Sequence, residues 1–477
     1  MPSDRAPTAA RRRTTPMATA VWRVVRDVLL GPPTGLVVAV RAVSARPALL
    51  AALAVLLVCL PVGEKDLTAS MHITPADLGS VALALAVVPR VLAGDRLPRT
   101  FLWVAMGGAV VGSALATIAS QDAGVSWAGL VRYLQLFVII PVAVALSVRR
   151  RQDLRLVCGA VLAAALVQGV VGTWQVVTGT GASFAGQNVR AVGTLGALDI
   201  MGMSTAVGYG LVVAFGLAMV QRGRTQMALL ELAALLTVPL LLSLSRGALI
   251  ATVGSAAMMV LATSPRLAAR VALFGSAAGI VAAGALGSIT TTVVTRLVTI
   301  GAVLTDPDRS VSDRFGLWET AVAIWRDHPV AGVGPKMFPA YRDAYAPLHV
   351  SSGSDVADPG LAFRRAPLLS PHNMYLLVLS EQGLIGAVAF AALLLGLLVI
   401  TWRRTRELSH LIETSDERLP DGRLVSAVSV GVVSWTVLNF LFSDIGGPTT
   451  VLMAVVLGIA LRWAAEPHAA AWRGAGA

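Results

Sequence analysis

Residues 312–338 read SDRFGLWETAVAIWRDHPVAGVGPKMF, and residues 369–386 read LSPHNMYLLVLSEQGLIG. The first lies inside, and the second closes, the one long polar stretch of the chain, residues 290–372. Apolar runs that read as helices meet both of its edges. His328, His349 and His372, three of the chain's six histidines, fall within it. Outside the stretch the chain is apolar. Of 477 residues, 56% are hydrophobic and 13% are charged, whereas soluble domains carry about 25% charged residues. Repeated apolar runs of about 20 residues are long enough to cross a bilayer as helices. The fold class expected is an all-α integral membrane protein with about 12 transmembrane helices and a large extracytoplasmic helical loop before the tenth span.

The chain divides accordingly. Residues 1–46 form a basic cytoplasmic N-terminus and an amphipathic segment, whose Arg23, Arg26, Arg41 and Arg46 suit an anionic leaflet. Residues 47–289 hold the first nine spans, 290–372 the polar loop, 373–464 the last three spans, and 465–477 a cytoplasmic tail. The run from Met374 to Trp402 is too long for one simple crossing. Its first turns, through about Gly383, are expected to lie at the interface. No short apolar run with a small-residue cleavage site follows the N-terminus, so a cleaved signal peptide is not expected. Cys59 and Cys158 fall in apolar runs and read as small packing residues.

The net charge of +12 is topological, because most arginines sit in short loops between spans. Arg90, Arg96 and Arg99, then Arg149, Arg150, Arg151 and Arg155, then Arg222 and Arg224, Arg266 and Arg270, and finally Arg403, Arg404 and Arg406 occupy alternate loops. The loops 119–126 and 443–448 between them carry no basic residue. Under the positive-inside rule this places both termini in the cytoplasm. The loop 178–199, the turn 243–247 and the stretch 290–372 then face outward, in a bacterial cytoplasmic membrane. No nucleic-acid motif accompanies the charge.

Arginines on the outer side run against that rule and need another reason to be there. Arg246 sits in a tight turn between spans. Arg314 opens a helix whose Phe315, Trp318, Val322 and Trp325 form an apolar stripe, a pattern more often packing than binding. Arg190 lies in a Gly-rich loop. Each could snorkel to lipid phosphate. The functional alternative is a grip on diphosphate, since guanidinium is a planar, permanently charged fork of donors. His372, in Ser-Pro-His-Asn, carries a side chain suited to taking a proton near neutrality, although capping or packing is the commoner role of a lone histidine. Asn373 is a plausible helix cap and, with Arg190 and Glu381, a candidate substrate-binding residue. Glu381 either orients a partner or pairs with an arginine. His328 reads as a helix end before Pro329, and His349 receives no role. Asp306, Asp308, Asp313, Glu319 and Asp327 read as solvated charges rather than metal ligands. No phosphate loop is present, and neither metal nor cofactor is expected.

Taken in order, Ser245-Arg246-Gly247, Asp313-Arg314-Phe315 with Trp318, His328-Pro329-Val330-Ala331-Gly332-Val333-Gly334 with Phe338, His372-Asn373 with Tyr375, and Glu381-Gln382-Gly383 with Gly386 resemble the O-antigen ligase/polymerase family. These are polytopic membrane glycosyltransferases of the GT-C type. The resemblance implies a glycan donor carried on undecaprenyl diphosphate, an acceptor glycan, glycolipid or cell-wall polymer, and no nucleotide sugar or metal. It implies that Arg246 and Arg314 hold the diphosphate and that His372 activates the acceptor hydroxyl, with inversion at the anomeric carbon. Arg190 matches a looser pattern, and Asp199 departs from the asparagine often found there. Ligase and polymerase remain alternatives. So does a transporter or flippase of lipid-linked glycans, although no internal repeat is evident and Arg132 is the one basic residue deep in an apolar run. A non-catalytic assembly partner is a further rival.

Overall fold

The computed structural model describes residues 46–61, 73–97, 101–184, 189–196, 199–264, 309–350, 353–358, 362–414 and 420–465. The expected amphipathic N-terminus, the ninth span (271–289), the start of the polar loop (290–308) and all but the first residue of the tail lie outside them. The described elements form a helical bundle. In order they are α1 (Ala48–Leu57), α2 (Pro75–Leu92), α3 (Phe101–Ala119), α4 (Ala123–Ser147), α5 (Arg151–Thr178), α6 (Ile200–Val220), α7 (Arg224–Leu242) and α8 (Arg246–Thr263). After the undescribed segment come α9 (Arg309–Asp327), α10 (Phe338–Tyr345), α11 (Met374–Thr414), α12 (Pro420–Asn439) and α13 (Thr449–Ala465). Among the described residues nine helices are long and apolar enough to cross a membrane, while α1 and α13 are shorter and apolar. The chain is therefore a multi-pass membrane protein.

The faces of the helices follow from their side chains. On α3 the outward residues are large and apolar, with Ile118 80% exposed, a surface that suits lipid rather than water. The inward face carries Ala105, Ala109, Gly112, Ser113 and Ala116. Small residues let helices approach closely where no hydrophobic effect drives them together. Gly112 meets α11 at Gly386, where an added Cβ would stand 2.9 Å from the Gly386 Cα. Among the described residues α13 is buried along almost its whole length and packs against α4 and α12.

Described arginines of the arginine-rich turns make their contacts at one end of the bundle. There Arg149 pairs with Asp95 at 2.6 Å, Arg404 donates to the Trp463 carbonyl at 3.0 Å, and Arg406 donates to the Leu261 carbonyl at 3.2 Å. The described part of the polar stretch packs at the other end. Its 328–338 segment runs past Gly129 through Pro335, and Gly334 abuts Ser120 and Ser126. A small antiparallel sheet, which the helical reading did not include, joins β1 (Ser183–Phe184), β2 (Gly353–Asp358) and β3 (Ala362–Pro367) in that order. It links the loop after α5 to the segment before His372.

α11 is interrupted at Gly383, where φ is +62° and ψ −164°. The break falls where the first turns of the long run from Met374 are expected to end. The freed amide of Leu384 donates to the Pro329 carbonyl at 2.9 Å, and that of Ile385 to the Val330 carbonyl at 3.4 Å. The break thus docks the His-Pro-Val segment onto the helix. A Cβ at Gly383 would stand 2.2 Å from the Val330 oxygen, in a left-handed conformation that costs a non-glycine residue about 1–3 kcal/mol. Gly383→Ala is expected to lower the thermal midpoint of the detergent-solubilised protein by several degrees. An unchanged midpoint would show that this docking is dispensable.

Candidate active site

The candidate residues are assembled by a short connection that contains none of them, the turn 440–448 between α12 and α13. Arg314, on the first turns of α9, directs Nη1 to the Phe442 carbonyl at 3.4 Å and brings Nη2 to 3.9 Å from the Met201 sulfur. Arg246 begins α8, which Ser245 caps by accepting the Ala248 amide at 3.4 Å. The next residue, Gly247, lies so close to Phe442 that an added Cβ would stand 2.5 Å from the Phe442 Cβ. Both arginines therefore belong to segments that meet at Phe442. Arg190 pairs through its backbone with Ala182. The following amide, Ala191, donates to the Leu242 carbonyl at 3.2 Å, which puts the Arg190 loop against the start of the turn that carries Arg246. Asp199, at the end of that loop, packs on Gly447.

His372 is held from three sides. Trp318 donates its indole N–H to the Pro371 carbonyl at 2.9 Å, so the aromatic stripe of α9 positions the histidine as well as packing. The His372 amide donates to Ser370 Oγ at 3.0 Å, and the Ser370 hydroxyl donates to Asp444. Asn373 caps α11 by accepting the Tyr375 and Leu376 amides at 3.0 and 3.1 Å, and its own amide donates to the Leu441 carbonyl at 3.2 Å. The Met374 amide donates to the Phe440 and Ser443 carbonyls. Among the described residues only Leu244, Lys336 and His372 combine a side chain with positive φ, and His372 has φ +48°. Such backbone strain persists where surrounding contacts over-determine it, and it clusters at functional sites. Leu244 lies in the Arg246 turn.

Glu381 makes its hydrogen bonds to a different turn. Its carboxylate accepts the Phe338 amide at 3.1 Å, while its carbonyl accepts the Gly334 amide at 2.8 Å. It organises the 334–338 turn.

The electrostatics at His372 follow from burial and from Arg314. Burial first, then the adjacent guanidinium, push its imidazole down to about 3. The ring is therefore neutral near pH 7 and able to accept a proton. Asp444 moves the other way, up to about 6, because burial outweighs the amide of His372 and the charge of Arg314, which both favour its ionised form. Composition and motif reading missed Asp444. The available signal was an acid, in Ser443-Asp444-Ile445-Gly446-Gly447, within a short loop between apolar runs that carries no base. If glycosyl transfer uses this site, the rate should fall as pH drops through about 6, where the Asp444 carboxylate gains a proton and loses its hold on Ser370 and the His372 amide. Asp444→Asn should flatten that limb in a pH–rate profile. An unchanged limb would assign it to another group.

The fold and this cluster define a multi-pass membrane protein with a polar, arginine- and histidine-bearing site at one end of the bundle. Residues 231–391 match the family model described as O-antigen ligase, which bears out the O-antigen ligase/polymerase resemblance and implies a glycosyltransferase-type membrane enzyme. The match takes in Arg246, Arg314 and His372 and leaves Arg190, Asp199 and Asp444 outside it. No curated protein matches the chain.

Proposed function

We propose that the chain transfers a glycan from a polyprenyl-diphosphate carrier to an acceptor hydroxyl on the extracytoplasmic face, with inversion and without a metal. The observation that carries this reading is the convergence of Arg314 and the Arg246 turn on Phe442, beside His372. Arg314 and Arg246 bind the diphosphate oxygens, and Arg190 borders the donor side. The acceptor oxygen attacks the anomeric carbon as the carbon–oxygen bond to phosphate breaks. His372 takes the hydroxyl proton, and the leaving diphosphate keeps the bonding electron pair. The two guanidinium groups stabilise its growing charge. Binding an anion beside Arg314 also offsets the field that holds His372 down, so the donor raises the basicity of the group that the reaction needs.

The test is to profile lipid-linked and surface glycans in a deletion strain. Long glycan accumulating on undecaprenyl diphosphate identifies a ligase, and single repeat units accumulating identify a polymerase. A lipid-linked glycan pool that is unchanged in size and composition would overturn the proposal.

A further inference from the structure

Arg132 takes no part in the proposed chemistry, yet it ties two helices to the turn that bears Asp444. It lies within α4, just before a π-helical turn at Gln135–Ile139. A charge inside an apolar helix is costly and marks function by default. Its Nη1 pairs with Asp77 of α2 and donates to Gln135 Oε1 at 3.0 Å. Asp77 is itself fixed. It accepts the Thr74 amide at 2.9 Å, the Thr74 hydroxyl at 2.8 Å and the Gln135 amide at 3.0 Å. The ion pair accounts for one arm of the guanidinium. The other arm, Nη2, donates to Thr450 Oγ1 at 2.8 Å and reaches the Gly447 carbonyl at 3.5 Å. Gly447 is the residue on which Asp199 packs, and three positions before it stands Asp444.

We infer that Arg132 is a positioning residue for the candidate active site, whose Nη2 arm holds Gly447–Thr450 and thereby sets Asp444 against Ser370 and His372. The catalytic part of this inference rests on the glycosyl-transfer reading. The structural part does not. Lysine keeps the charge toward Asp77 but lacks the planar fork that serves both arms. Thr450→Val leaves the ion pair intact but removes both the nearer acceptor of the second arm and the Thr450 hydroxyl's own bond to the Gly447 carbonyl at 2.8 Å, so the Arg132→Lys result carries the assignment.

Hydrogen exchange of the full-length protein in nanodiscs, read by mass spectrometry, is the first arm of the test. Thr450→Val and Arg132→Lys should each speed exchange of the 440–448 amides about tenfold, with α2 and α4 unchanged. The second arm is activity. The same variants should lower kcat with little change in donor KM, and should add little to the loss caused by Asp444→Asn, because residues acting through one contact are non-additive. Unchanged exchange at 440–448, or exchange raised equally in α2 and α4, would overturn the positioning role. Losses that multiply with that of Asp444→Asn would overturn its path through Asp444. The exchange arm needs no glycan. Normal transfer by His372→Ala would therefore remove the catalytic reading while exchange still decides whether Arg132 holds the turn.

Discussion

His372→Ala is expected to lower glycan transfer by about 10²–10⁴-fold, the usual contribution of a positioned general base, with donor binding largely retained. The separation follows from geometry. The histidine's backbone and neighbours are held by Ser370, Trp318 and the 440–448 turn, so removing the imidazole leaves that frame standing. Alanine does inherit the φ of +48°, so a fall in thermal midpoint has to be measured alongside activity. His372→Asn separates the effects, because asparagine tolerates the left-handed region better but supplies no comparable base. Activity in the asparagine variant equal to wild type would sink the general-base role. Full complementation of a deletion strain by His372→Ala would move the transporter reading to the front.

Arg314→Ala is expected to cost about 10²–10³-fold, the loss typical of removing one preorganised donor to developing charge. It should also do something that removal of a merely structural arginine would not. Arg314 is one of the two causes that depress His372. Without it, the imidazole should titrate closer to its ordinary value of about 6.5. Peptide-resolved modification by diethylpyrocarbonate, which reacts with neutral imidazole, checks this directly. In the ligand-free wild type the His372 rate should stay flat between pH 7 and 5. In Arg314→Ala the accessibility-corrected rate should fall toward acid, because the imidazole gains a proton at higher pH than in the wild type. Identical profiles would show that the guanidinium does not reach the imidazole. Arg314→Lys should recover only part of the transfer, because an ammonium cannot reproduce the bidentate fork.

The residue types and their order were enough to select Arg246, Arg314 and His372 as candidates. The chemistry of each is carried by its own side chain, and each lies in a polar segment or turn between apolar runs. The span pattern was legible for the same reason, since a 20-residue apolar helix is a local property. The break at Gly383 was legible as a length that did not fit one crossing.

Other roles depended on partners far along the chain. Asp444 lies 74 positions after Ser370 in a loop whose apparent feature was its lack of base. Glu381 carried two possible roles in the sequence, and the fold turned it to a backbone amide instead of an arginine. Arg132 read only as a charge deep in a span until Asp77, Gln135 and Thr450 surrounded it. Composition and periodicity by themselves determined a membrane-spanning helical chain with one long polar stretch, because hydrophobicity over one helix length requires no knowledge of the neighbours. Which polar groups face one another was decided by tertiary structure alone, because a hydrogen bond between distant segments depends on how helices pack and where turns end.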